Sequence, residues 1–197
     1  MVGVQDTKSR CKWVDLKDPL YLDYHDREWG KPLHDDRKLF EFLILEGAQA
    51  GLSWKTILHR RESYRAAFSG FEAEVIAEYG TDDISRLMLD TGIIRNRLKI
   101  NAAVNNAYRF IKVQDEFGSF DTYIWGFVDG KPLKNKWTSI EEIPASTSLS
   151  DQMSKDLKKR GFSFVGSTIC SSFMQAVGIV NDHTVDCFRY TEVQEEV

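Results

Sequence analysis

Cysteine is scarce in this sequence. Three cysteines, Cys11, Cys170 and Cys187, are an odd number at wide spacing, which argues against a disulfide framework and leaves metal or core roles. A four-cysteine iron–sulfur cluster is excluded by count. There is no surplus of positive charge: 26 Lys and Arg stand against 30 Asp and Glu, a net charge of −4. Such a chain is unsuited to coating nucleic acid indiscriminately, so any DNA contact must be local. Met1 to Arg10 has no apolar stretch of the signal-peptide kind, and no later run approaches the roughly 20 apolar residues of a membrane span. The expectation is a cytoplasmic protein with no membrane partner. Internal repeats and low-complexity tracts are missing, and period-2 alternation is nearly absent.

What is present is enough to bury a real core: 197 residues, 42% hydrophobic, the size of one compact domain built as two small lobes. Residues 1–10 and the acidic end 191–197 read as flexible, and 11–190 as a single domain. Asp35 or Asp36 caps a helix running to about Gly47, with Leu39, Phe42, Leu43 and Glu46 on one stripe. Ser53 caps a second helix carrying Trp54, Ile57, Leu58, Arg65 and Phe68. Thr81, Asn96, Ser119 and Ser150 stand before further helices, and Gly80, Gly118, Gly161 and Gly178 stand where helices should stop. The coarse reading is all-α, with short loops except for the polar stretch from Gly130 to Ser148.

Four residues carry zinc-compatible chemistry in two pairs at opposite ends of the chain. His183 and Cys187 are four positions apart, one helical turn if that segment is helical, whereas the gap between Cys11 and His25 matches no common finger. Spacing alone leaves open that all four are ordinary core or surface residues. Glu46 raises a different question, because its stripe should face the interior and an unpaired buried charge is costly. Either that helix end reaches water near Gly47 and Gly51, or Glu46 lines a pocket and meets a cationic or donor-bearing ligand. Trp13, Tyr21, Tyr24, Trp29 and Trp54 surround it in sequence. Each is suited to core packing, and as a set they also suit a flat, electron-poor base held between rings. Lys155, Lys158, Lys159 and Arg160 precede a glycine-bounded turn, Gly161 to Gly166. Its backbone N–H groups could hold a DNA phosphate; ordinary capping of a lysine-rich helix explains it equally well.

The runs Cys11-Lys12-Trp13-Val14, Asp18-Pro19-Leu20-Tyr21, Tyr24-His25-Asp26-Arg27-Glu28-Trp29-Gly30, Leu45 through Trp54, Lys158 through Phe162, Phe164-Val165-Gly166 and Val180 through His183 together closely resemble the bacterial DNA-3-methyladenine glycosylase I family. The resemblance extends from Cys11 to Cys187. It implies a helix-hairpin-helix glycosylase fold: an all-α body, a base pocket between two helical lobes, and a phosphate-gripping hairpin at about 158–167 that includes Lys159, Arg160, Gly161 and Gly166. It also implies one structural zinc held by Cys11, His25, His183 and Cys187, tying the chain ends together. By the same match Glu46 and Tyr24 are the catalytic pocket residues, Trp54, Trp13, Tyr21 and Trp29 its base-binding walls, and Gly51-Leu52 the segment that fills the hole left in the DNA stack. Asp182 can be read as catalytic or as structural support for His183.

The implied activity is excision of 3-methyladenine from alkylated double-stranded DNA by a monomer, with the free base as product. N3 methylation places a positive charge on adenine and weakens its glycosidic bond. Extrusion, recognition and electrostatic support then matter more than acid catalysis, and an ionised Glu46 beside aromatic rings suits such a base. No lysine lies between Ser167 and Asp182 to act as the amine nucleophile of a lyase step, so the expected product is an abasic site. Two rivals are a non-cutting lesion-binding module, which would not need the pocket acid, and a zinc hydrolase, which would need an open coordination position.

Overall fold

A computed structural model of the chain describes residues 8–195. It is mostly helical with almost no sheet, in agreement with the expected class. The helices are α1 (Pro19–Arg27), α2 (Asp36–Gln49), α3 (Trp54–Leu58), α4 (Arg61–Ala67), α5 (Ala73–Ala77), α6 (Thr81–Leu89), α7 (Arg97–Phe117), α8 (Phe120–Trp125), α9 (Ser148–Lys159), α10 (Ser167–Ala176) and α11 (Arg189–Glu195). Two two-residue strands, β1 (Leu133–Lys134) and β2 (Val180–Asn181), pair in parallel. Among the described residues no helix is long and apolar enough to cross a membrane.

The local signals act largely as expected. Asp35 caps α2 by accepting from Lys38 N, Ser53 caps α3, Asn96 caps α7 and Ser119 caps α8, each supplying an acceptor to an otherwise orphaned N–H. Gly118, Gly161 and Gly178 follow helix ends with positive φ. Several expectations need correction. Gly80 does not stop a helix but precedes α6 as its N-cap, and Thr81 is the first helical residue. Ser150 sits inside α9, completing a capping box with Thr147. The helix expected to run from Ser53 through Phe68 is two helices, α3 and α4, because the chain turns at His59 and Arg60 so that Arg61 can reach the interior. Thr191 to Glu195 continue α11 rather than forming a loose tail, since Tyr190 and Val193 are buried. Arg10, in the start expected to be flexible, is held by Asp26 at 2.8 Å. Residues 1–7 and 196–197 lie outside the described residues.

α2 is the central helix. Every residue from Leu39 to Ala48 is buried, the pattern of a helix surrounded by others. It contacts α3, α7, α8 and α10, and Phe40, Phe110 and Phe120 form the ring cluster at its centre, 4.9 and 4.4 Å apart pairwise along the series. Anything placed near its C-terminal end is therefore held by most of the domain.

Candidate functional site

α2 buries two carboxylates, Glu41 and Glu46, each 4% exposed, and treats them oppositely. Glu41 is neutralised by two guanidiniums: Arg61 bonds to it directly and Arg65 Nη2 lies at 2.8 Å. Glu46, somewhat more than a turn later, has no hydrogen-bond or ion-pair partner among the described residues. Burial without compensation pushes its carboxyl up to about 8, so in the unliganded protein it is mainly protonated at pH 7.

Glu46 faces a cavity of about 300 Å³. All five aromatic residues singled out in the sequence line it. Trp13 stands edge-on to Tyr21 at 5.2 Å and to Trp29 at 5.0 Å between ring centroids, and Tyr24 lies 5.3 Å from Trp54. Rings set against rings at these angles fix one another's orientation. Burial, with the nearby Glu46 carboxyl adding to it, keeps the Tyr24 phenol protonated well past its ordinary range. The indole Nε1 of Trp54 is shielded from solvent and has no partner.

Sequence reasoning missed the opposite wall. It consists of Thr168, Ser171, Ser172 and Gln175 on α10, with Gln49 of α2 and Ile140, Ile143, Pro144 and Ala145 from the long loop. The α10 residues recur at i, i+3, i+4 and i+7, a polar stripe on an otherwise apolar helix, which was a readable signal. The loop residues carry no local signal. Asp182 is not part of the cavity wall: its carboxylate accepts from Asn135 at 2.6 Å, Trp137 Nε1 at 2.7 Å and Gln175 Nε2 at 2.8 Å. It is a buried structural hub.

Neighbouring residues of α1 serve two sites, because successive side chains on a helix diverge by about 100°. Tyr24 faces the cavity and His25 a cluster with Cys11, His183 and Cys187. All four are buried and their ligand atoms lie within 4.8 Å of one another. Three S···N separations, Cys11 to His183 and Cys187 to both histidines, are 3.5 Å. A tetrahedral zinc with Zn–S of about 2.3 Å and Zn–N of about 2.0 Å has S···N edges of about 3.5 Å, so the donor set fits that ion. Outer partners fix the imidazoles: His25 Nδ1 meets Asp26 at 2.8 Å and His183 Nε2 meets the Trp29 carbonyl at 3.0 Å, leaving His25 Nε2 and His183 Nδ1 for the cluster. Cys170 is apart from it, a core thiol pushed up to about 12 by burial.

The chain matches a model of the methyladenine glycosylase family over residues 13–190. It belongs to that family. It is 52% identical to DNA-3-methyladenine glycosylase 1 of Escherichia coli strain K12 over 182 residues, 92% of this chain and 97% of that protein. A crystal structure of 3-methyladenine DNA glycosylase I is 53% identical and superposes with a TM-score of 0.89, covering 91% of this chain and 98% of the other. A variant of 3-methyladenine DNA glycosylase I, solved in complex with 3-methyladenine, is 40% identical with a TM-score of 0.88, covering 91% and 96%.

Two more groups of expected residues lie outside the cavity of this methyladenine glycosylase family member. Gly51, with φ of +78°, makes the turn between α2 and α3 and leaves Leu52 exposed between two cavity residues, Gln49 and Trp54. The second group is the turn from α9 to α10. Its carbonyls point inward: Gly161 O accepts from Asn105, Ser163 O from Asn106 and Val165 O from Ser154. The backbone N–H groups of Phe164, Val165 and Gly166 have no partner among the described residues. Gly161 needs φ of +87°, and a Cβ there would meet Arg109 at 2.8 Å; Gly166 has ordinary φ and open space around it. Lys159 is exposed. Arg160, expected on DNA, is instead held by Glu116 and Asp156, each at 2.7 Å, and lies over Phe117 and Tyr123.

Proposed function

We propose that this protein excises 3-methyladenine from alkylated duplex DNA, hydrolysing the N-glycosidic bond and leaving an abasic site. The single observation that carries the reading is Glu46: a buried carboxyl with no partner, at the edge of a ring-walled cavity, on a helix that neutralises its other buried carboxylate with two arginines. A neutral ligand gives such a group nothing to justify ionisation, whereas a methylated adenine cation does. The positive charge of the base favours the ionised form of Glu46, whose proton is released to water; the resulting carboxylate faces the base, and Tyr24, Trp54, Trp13, Tyr21 and Trp29 hold the ring. The unclaimed indole N–H of Trp54 is a donor available to the extruded nucleotide.

Extrusion needs a group to occupy the gap and a grip on the backbone. Leu52 fills the gap, and the three unpartnered amides at 164–166, ahead of the positive end of α10, hold a phosphate in a hairpin-like grip. Open space at Gly166 lets the backbone approach closely. Lys159 adds charge nearby, and Arg160 shapes the helix end instead. Cys11, His25, His183 and Cys187 hold one zinc. Four protein ligands close its coordination, so its contribution is to fold and position, and a zinc hydrolase is disfavoured. The protein works as a cytoplasmic monomer. The direct test is incubation with methylated duplex DNA and chromatography of the released bases: 3-methyladenine is expected, and its absence from a folded preparation rejects the reading.

A further inference from the structure

Ten of the twelve arginines are held by a carboxylate, a carbonyl or an aromatic ring. Arg60 donates to Thr91 O, Arg86 to Ala67 O and Arg109 lies over Tyr108; the others meet acids. Arg95 and Arg97 are the exceptions. Both are exposed, with no partner among the described residues, in a protein whose net charge is −4. They flank Asn96, whose side chain caps α7 by accepting from Leu98 N and Lys99 N at 3.0 and 3.2 Å. Leu98 beside them is 71% exposed, while Ile93 and Ile100 anchor the segment in the core.

Their location is fixed by Lys99. Its ammonium donates to the carbonyls of Ala48 and Ala50, both at 2.7 Å, fastening the first turn of α7 to the end of α2 directly before Gly51 and Leu52. Farther along the same helix, Asn105 and Asn106 hold the turn at 161–163. At 1.5 Å per residue these anchor points are about 9 to 11 Å apart along α7. One rigid helix therefore has the arginine pair at its start, Arg97 as its first residue and Arg95 just before the cap, and braces the amide grip further along.

We propose that Arg95 and Arg97 form a second DNA-backbone contact, a phosphate-binding point at the Leu52 end of α7 separate from the 164–166 grip. The inference rests on the glycosylase reading above. Each guanidinium presents a fork of donors suited to phosphate, the N-terminal end of a 21-residue helix adds positive potential, and the exposed position lets the pair meet a duplex without rearranging the core. A second grip on the backbone near Leu52 helps hold the duplex open around the gap that Leu52 fills.

The test is the salt dependence of binding to a duplex carrying a tetrahydrofuran abasic-site mimic, measured by fluorescence anisotropy between about 50 and 200 mM KCl. Arg95→Gln/Arg97→Gln is expected to reduce the slope of log affinity against log salt by about 1.8, since each lost phosphate contact removes about 0.9. Affinity at the low-salt end should fall about tenfold or more, and Arg95→Lys/Arg97→Lys should restore most of the slope. Affinity for free 3-methyladenine should match wild type, because neither arginine touches the cavity. A slope equal to wild type, or no duplex binding by the wild-type protein, overturns the proposal. A wild-type protein that released no 3-methyladenine while the slope difference persisted would overturn the glycosylase reading and leave the arginine contact standing.

Discussion

Replacing Glu46 by Gln makes opposite demands on stability and on activity, and the structure supplies the size of the first. Burial raises the Glu46 carboxyl to about 8, against about 4.5 for an exposed glutamate. The folded state therefore holds the proton more tightly than the unfolded chain. Stability from this group is fully present below pH 4.5, declines as pH rises between the two values, and levels off above 8. At pH 7 the accumulated penalty is about 2.5 units at 1.36 kcal/mol each, or about 3 kcal/mol as an upper figure. Glutamine keeps the shape and cannot ionise. Glu46→Gln should thus be more stable than wild type by up to about 3 kcal/mol at pH 7, with the difference shrinking as pH falls toward 4.5. With a urea m-value of about 2 kcal/mol/M, the midpoint should move up by about 1 to 1.5 M at neutral pH. Parallel urea titrations from pH 5 to 8.5 read this directly. Activity should move the other way: the variant should excise cationic 3-methyladenine poorly. Wild-type kcat/KM should rise with pH up to about 8, the range in which the free enzyme ionises Glu46, and the residual activity of the variant should lack that limb. Wild type and variant tracking one another in stability across the whole pH range would refute the reasoning, as would a variant that unfolds or one that excises normally.

Trp54→Ala removes a ring from the cavity wall and should cost on the order of 1 to 3 kcal/mol of base affinity, roughly a five- to two-hundredfold rise in Kd for free 3-methyladenine; calorimetry of base binding checks it. Cys187→Ser removes one of four closely spaced donors, so metal content by elemental analysis should fall from about one zinc per chain together with thermal stability; a stable, fully active wild-type preparation without zinc contradicts the site. Gly166→Asp places a carboxylate where the fold leaves open space. It should weaken duplex binding while leaving free-base affinity and Tm near wild type, which anisotropy, calorimetry and a thermal melt report together.

The parts of this protein that were legible in its sequence are those governed by near neighbours. Asp35, Ser53, Asn96 and Ser119 cap helices because a side-chain oxygen reaches an N–H two or three residues on. Glu46 stood out because a carboxylate on an apolar stripe is anomalous whatever the fold. The break between α3 and α4 was not legible: no glycine or proline marks it, and its cause is Arg61 reaching Glu41 and Glu28, partners 20 and 33 positions away. α1 was missed although Asp18 caps it and Pro19 opens it, because its rings turn toward the cavity and leave no continuous apolar stripe. The commitment of Arg160 to Glu116 and of Asp182 to Asn135, Trp137 and Gln175 depends on residues brought together only by tertiary structure. Spacing alone could not distinguish those side chains from DNA-binding or catalytic ones. The four-donor cluster shows the same limit from the other side, since Cys11 and His183 are 172 positions apart.

That separation has a bearing on how the protein comes into being. Trp13, one wall of the cavity, stands two residues from Cys11, and Cys11 packs against His183 and Cys187; Phe188 N also donates to Ser9 O at 3.0 Å. The segment carrying Cys11 and Trp13 thus completes the pocket only by docking on one made 172 positions later. A ribosome-bound or prematurely terminated chain that stops short of residue 183 lacks the clasp for its own N-terminal wall. Base-binding capacity should therefore arise all at once when residues 183–188 become available, and a product that stops before them should be a poor binder rather than a partly active enzyme.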